Sequence, residues 1–267
     1  MTWRGIAAFR LVTRDFDRLA RFYRAIGFVV GERGPIGAAE MRLLGLEGAG
    51  ERLAMRLGFS RVDLDRFETP GRDYPGDASA ADLVFQHLAI VTDDAAAAWA
   101  RAAAAGAVPI SRAGAVTLPP SSGGVTAVKF RDPDGHPLEF LQFPAGANPD
   151  WTGSGVQGID HSALSVADVA GSRRFFAERG LSEGKATLNK GPAQVALDGL
   201  DGVEAEVVPM NPADAPPHVE LLGYRTPRGR AHPPLAANDA AATRTVWHAD
   251  RDALLRDPDG HLHQLRR

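Results

Sequence analysis

FRDPDGHPLEFLQF, from Phe130 to Phe143, returns near the end of the chain as LRDPDGHLHQL, from Leu255 to Leu265. The shared string is Arg-Asp-Pro-Asp-Gly-His. Its proline presets a turn-forming φ and its glycine tolerates a positive one, so the string reads as a tight turn joining two strands. One hairpin is thus used twice, towards the end of each half of the protein.

Upstream of these hairpins a second pattern occurs three times: a short apolar strand, an acidic residue, then an alanine- or arginine-rich helix ending at glycine. It reads AAFRLVTRDFDRLARFYRAIGF from Ala7, HLAIVTDDAAAAWARAAAAGA from His87 and HSALSVADVAGSRRFFAERGL from His161. Each strand alternates or runs apolar for about six residues, as a half-buried strand does. Asp15, Asp94 and Asp168 are placed to cap the helices or complement their dipoles. Gly27, Gly106 and Gly180 suit the left-handed conformation that closes a helix.

The chain therefore reads as β-α-β-β-β, repeated. Module one covers about 5–60, module two about 83–144 and module three about 158–226. A fourth module, after about Pro233, is truncated, because AANDAAATRTVW is too short for both a strand and a helix. Phe143 to Gly158, rich in Gly, Pro and Ser, reads as a linker. It divides the chain into domains 1–145 and 158–267.

Composition narrows the possible functions. Of the 267 residues, 44% are hydrophobic and 24% charged, enough for a substantial core. The net charge of −3 offers no field for nucleic acid or an anionic membrane. The absence of cysteine excludes disulfides and thiolate zinc sites. The N-terminus does not read as a signal peptide, and no stretch approaches the roughly 18 apolar residues that span a bilayer. A cytoplasmic protein acting on a small molecule is the expectation.

Two modules carry a histidine at the same place on their first strand, His87 and His161. Two carry a glutamate on their last strand, Glu139 and Glu220. Where first and last strands are neighbours, a histidine and a glutamate on one face can meet. Two facing modules would then offer two imidazoles and two carboxylates to one divalent ion such as Zn²⁺, Ni²⁺, Mn²⁺ or Fe²⁺, with positions left open for substrate.

The repeated strand-helix pattern, the Asp-Pro-Asp-Gly-His turn and the Pro-Leu-Glu-Phe after it resemble the glyoxalase, bleomycin-resistance and extradiol dioxygenase superfamily, the vicinal oxygen chelate proteins, over nearly the whole chain. The resemblance implies an α+β fold of tandem βαβββ modules curled into two half-barrels. It also implies metal ligands at the first-strand histidine and last-strand glutamate, here His87, Glu139, His161 and Glu220. Module one departs from this with Ala8 at the histidine place and, if RLAMRLGF matches PHVELLGY, Met55 at the glutamate place. Module four has Gln264 for the glutamate. Pairing modules one with two and three with four would split the ligands; pairing two with three would converge them, as in single-chain, four-module glyoxalase I enzymes. The segregation of the ligands to the inner modules argues for this second pairing, with one ion between modules two and three. Ala8, Met55 and Gln264 would then line a second hollow. Arg10, two residues after Ala8, either faces a cavity and binds an anionic substrate group or lies on the surface.

Two functions of different kinds fit. The first is a metalloenzyme in which the ion stabilises an enediolate or similar anion and Glu139 or Glu220 moves the proton. This is lyase or isomerase chemistry, with extradiol ring cleavage as a variant. The second is a metal-free, drug-sequestering binding protein of the same fold.

Overall fold

A computed structural model describes residues 2–267. Module one comprises β1 (Ile6–Val12), α1 (Phe16–Ala25), β2 (Val29–Pro35), the short α2 (Ala38–Leu43), β3 (Gly50–Leu57) and β4 (Ser60–Phe67). Module two comprises β5 (Gln86–Thr92), α3 (Ala95–Ala104), β6 (Val108–Pro109), β7 (Val116–Thr117), β8 (Thr126–Arg131) and β9 (Pro137–Gln142). Module three comprises β10 (Val156–Ser165), α4 (Val169–Ala177), β11 (Ser182–Glu183), β12 (Thr187–Lys190), α5 (Pro192–Asp198), β13 (Glu204–Asn211) and β14 (His218–Thr226). The truncated fourth keeps only β15 (Arg244–His248), β16 (Ala253–Arg256) and β17 (Leu262–Arg266).

In every module the first strand lies parallel to the last: β1 with β4, β5 with β9, β10 with β14, β15 with β17. Modules join through their first strands, antiparallel, β5 with β10 and β1 with β15. Modules two and three thus share a ten-stranded sheet, and one and four a seven-stranded one. Of the two pairings the sequence allows, the chain adopts the one that brings the histidines and glutamates together.

The sheets cross the linker, but the two largest cores lie mainly within the halves of the chain. One core packs α1 and its strands against α3 and the strands of module two. The inward stripe of α3 is Ala95, Ala98 and Ala102, one helical face of small residues. The other core joins modules three and four around Phe176, Leu221 and Trp247. Module four has no helix, and Trp3 closes that flank. It is fully buried, 4.7 Å from Trp247 and edge-on to Phe176.

Asp15 and Asp94 cap their helices, accepting from Arg18 N and Ala97 N; Asp168 occupies the same place without a side-chain bond. Gly27, Gly106 and Gly180 all have positive φ, as a left-handed helix end requires.

The two repeated turns clasp neighbouring modules. Asp132 Oδ1 accepts from the backbone of Asp134 and His136, and Asp257 Oδ1 does the same for Asp259 and His261. His136 Nε2 donates to Val12 O, and His261 Nε2 to Ser165 O, each 3.0 Å away at the end of a first strand in the preceding module. His136 Nδ1 also donates to Asp132 Oδ2, 2.8 Å away. Burial disfavours its charged form, but the Asp132 carboxylate outweighs this and raises its pKa. His136→Gln should therefore cost about 1.5–3 kcal/mol, the worth of hydrogen bonds to a charged group. Because the folded pKa is raised, that stability is full below the unfolded histidine pKa of about 6.5 and fades as pH climbs through the folded value. Urea unfolding of wild type and variant across pH checks this: the gap should narrow at high pH.

Candidate metal centre

The site forms at the seam where β5 and β10 pair. His87 lies opposite Ala163, and His161 opposite Ala89. The flanking parallel strands set Glu139 beside Ala89 and Glu220 beside Ala163. Side chains alternate along a strand, so all four functional groups share the concave face, and the two alanines leave space between them. The His87 and His161 rings are 5.7 Å apart between centroids. His87 Nε2 is 2.7 Å from Glu139 Oε2, and His161 Nε2 is 3.5 Å from Glu220 Oε2. Donor atoms of His87, Glu139 and His161 lie within 4.8 Å of one another. The four residues line one cavity of about 230 Å³.

The surroundings orient these groups. His161 Nδ1 donates to Asp160 Oδ2, 2.9 Å away, and Trp151 Nε1 holds the other Asp160 oxygen at 2.8 Å. This is a carboxylate–histidine pair of the kind that aims a metal-binding imidazole. Burial disfavours a charged His161, but Glu220, Asp160 and Glu139 overcome it and hold its pKa at about 9. Burial would raise Glu220; the charge of His161 and the nearby His218 hold it at about 2. Glu139 is likewise held below the usual carboxylate range, against burial, by the charge of Lys129 and its contact with His87. Burial pushes His87 down, towards the neutral ring.

His87 tests whether the site suits an ion. It is 1% exposed, and among the described residues neither ring nitrogen has a hydrogen-bond partner. Its approach to Glu139 is short but at the wrong angle for a hydrogen bond. A buried imidazole left unbonded costs free energy, whereas two donors crowded side by side is what ligands of one ion look like at bond lengths near 2.0–2.2 Å. Neutral imidazole and ionised carboxylate are the donor types required.

The family profile of the Glyoxalase/Bleomycin resistance protein/Dioxygenase superfamily matches residues 5–140. The chain belongs to this superfamily. Among solved structures, this superfamily member is similar to glyoxalase I from Zea mays, at 14% identity and a TM-score of 0.60, covering 98% of this chain and 92% of that one. A point mutant of that maize enzyme gives 13% identity, a TM-score of 0.62 and coverage of 98% and 93%. A putative dioxygenase from Bacillus subtilis subsp. subtilis str. 168 gives 14%, 0.55, 99% and 85%. These likenesses concern the fold. No curated protein matches the chain by sequence. Among the described residues, no helix is long and apolar enough to cross a membrane.

The four expected ligands of this superfamily member converge, but the reading of module one needs correction. Met55 is not at the glutamate place. It lies on β3, faces the core and is 1% exposed. The last strand of module one is β4, one hairpin later. Arg10 pairs with Asp63 there as Ala89 pairs with Glu139 in module two, so Asp63 holds that place. Arg10 is on the other sheet and does not line the His87–His161 cavity. It is buried rather than on the surface, and with Gln264 it lines a second cleft.

Three residues near the centre went unread in the sequence. His218 sits two places before Glu220, so the His-x-Glu spacing on one strand could have revealed it. Asp160 comes beside His161 where the β5–β10 ladder shifts register between Ile159 and His161, an irregularity with no sequence mark. Lys129 is opposite Glu139 in the β8–β9 ladder and reaches Asp198 at 2.7 Å.

Proposed function

We propose that the chain is a divalent-metal enzyme that removes a proton from carbon next to a carbonyl in a small molecule with two adjacent oxygens. The observation that carries this is the buried, unbonded His87 beside Glu139 and His161. A metal-free binding protein would leave Nδ1 without a partner and Nε2 with only its poorly aligned contact to Glu139. His87, Glu139 and His161 form the tight set that would hold the ion, and Glu220 stands at its edge. A bound divalent ion supplies Lewis acidity that stabilises negative charge developing on the substrate oxygens. Glu220, which lines the cavity, is placed to accept the proton from carbon and return it once His161 has given up the proton whose charge holds Glu220 at about 2. Asp160 keeps the Nε2 of His161 aimed inward. Leu141, Leu222 and Phe143 line the cavity with apolar surface and exclude water from the reacting carbon. The zinc-type lyase or isomerase reading is favoured by this free fourth carboxylate. Two histidines and one carboxylate also match the ligand set of non-haem Fe²⁺ oxygenases, so extradiol cleavage is the second reading.

The test is a titration of metal-stripped protein with Zn²⁺, Ni²⁺, Mn²⁺ and Fe²⁺, followed by incubation with α-hydroxy ketones in D₂O. One ion per chain and deuterium incorporation at the α-carbon are expected. Oxygen uptake with catechols under Fe²⁺ instead would select the second reading, and absence of metal binding would overturn both. Since His161 carries a proton below about pH 9, an ion must displace it. Apparent affinity should rise by up to about tenfold per pH unit and level off above that value. Calorimetry in buffers of different ionisation enthalpy reads the released proton directly.

A further inference from the structure

The seven-stranded sheet repeats the geometry of the metal centre with different chemistry. Its ladder sets Ala8 opposite Val246, as the other sets His87 opposite Ala163. Val246 neighbours Gln264 as Ala163 neighbours Glu220. The four ligand places are therefore Ala8, Asp63, Arg244 and Gln264, with Arg10 where the metal centre has Ala89. The concave face opens into a cleft of about 750 Å³ that Arg10, Arg52, Arg61 and Gln264 help to line. The short helix α2 stands over it between the second and third strands of module one. In module three, α5 takes the same place and lends Gln194 and Leu197 to the metal cavity.

Glu40 of α2 fills the centre of this cleft. Its Oε1 accepts from Arg10 Nη1, from Arg52 Nη2 at 2.9 Å and from Gln264 Nε2 at 2.8 Å. Its Oε2 accepts from Arg52 Nη1 at 3.1 Å, completing a planar, two-pronged grip on a carboxylate. Arg10 is 2% exposed, yet among the described residues its Nε has no hydrogen-bond partner; a carboxylate there, Asp63, is 3.9 Å away. Without Glu40 the cluster would set Arg10, Arg52, Arg61 and Arg244 against Asp63 and Asp65 alone, an excess of positive charge facing an open cleft. The Glu40 side chain is 21% exposed and belongs to a six-residue helix at the mouth.

We propose that this cleft is a binding site for a small organic carboxylate, which seats on Arg10, Arg52 and Gln264 in place of Glu40. Glu40 is then a tethered competitor that covers the arginines until a ligand displaces it. The site is separate from the metal centre and does not depend on it.

Succinate is the probe, titrated by calorimetry at constant ionic strength with chloride as the control. Wild-type protein should bind it saturably in the millimolar range. Glu40→Ala should bind at least ten times more tightly, because the competitor is gone. Arg10→Met should lose binding in either background, and Gln264→Leu should weaken it several-fold. If Glu40→Ala does not fold, Glu40→Gln, which keeps the shape and removes the charge, should show the same tightening. Wild-type protein with no saturable binding, binding that Arg10→Met leaves unchanged, or a Glu40 variant no tighter than wild type would each overturn the proposal. Metal content and deuterium exchange are expected to stay at wild-type levels in the Glu40 variants.

Discussion

Glu139→Ala is expected to reduce metal affinity by more than about 100-fold, beyond the 10–100-fold typical of losing an outer partner of a metal ligand. Deuterium exchange at the substrate carbon should fall to background. The contrast variant is Asp160→Asn, which removes the group that aims His161 but no donor from the tight set. It should lose about 10–100-fold and keep measurable exchange. Stability should fall as well. Glu139 is held ionised by the charge of Lys129 and its contact with His87, so the folded state gains from it at neutral pH. Metal-free Glu139→Ala should melt below the wild-type temperature, because the buried Lys129 and the charged His161 lose a compensating carboxylate. The measurements are metal content per chain, calorimetric affinity and a thermal melt of the stripped protein. Glu139→Ala that retains a full equivalent of metal would remove Glu139 from the centre.

The second large effect concerns the base of the same cavity. Lys129 Nζ is 2.7 Å from Asp198 Oδ1, with both side chains nearly inaccessible. Gln194 Nε2 and Tyr224 Oη donate to the other Asp198 oxygen, at 2.7 and 3.1 Å. Asp198→Ala removes the acceptor of three donors and leaves an ammonium in the interior. The expected cost is about 3–5 kcal/mol, the range for breaking a buried ion pair from one side. The diagnostic is a change of sign. Lys129→Met should destabilise the wild-type protein, where it strands Asp198, and stabilise the Asp198→Ala protein, where it removes the stranded charge. A double-mutant cycle by urea unfolding measures both. Destabilisation by Lys129→Met in both backgrounds would mean that Glu139 and Glu220, not Asp198, compensate the lysine.

Much of the fold and four residues of the centre were legible because their signals are local or periodic. The Asp-Pro-Asp-Gly turn depends on the φ preferences of its own residues. Alternation along a strand assigns His87, His161, Glu139 and Glu220 to faces, and their common place in the repeat singles them out. The segregation of the ligands argued for pairing modules two and three, and the tertiary structure fixed that they share a sheet. All four first strands could pair, and the cores that cover the sheets join residues far apart in the chain, α1 with α3 and Trp3 with Phe176 and Trp247. The tertiary structure also decided the register of module one, where Met55 turns into the core and Asp63 lies buried beside Arg10. A shift of one residue reverses every side chain of a strand, and a further hairpin looks locally like its neighbour. Asp160 reaches His161 through an irregular ladder, and Arg10 meets Glu40 from thirty residues away. Those contacts depend on the relative placement of strands and a short helix, which periodicity does not encode.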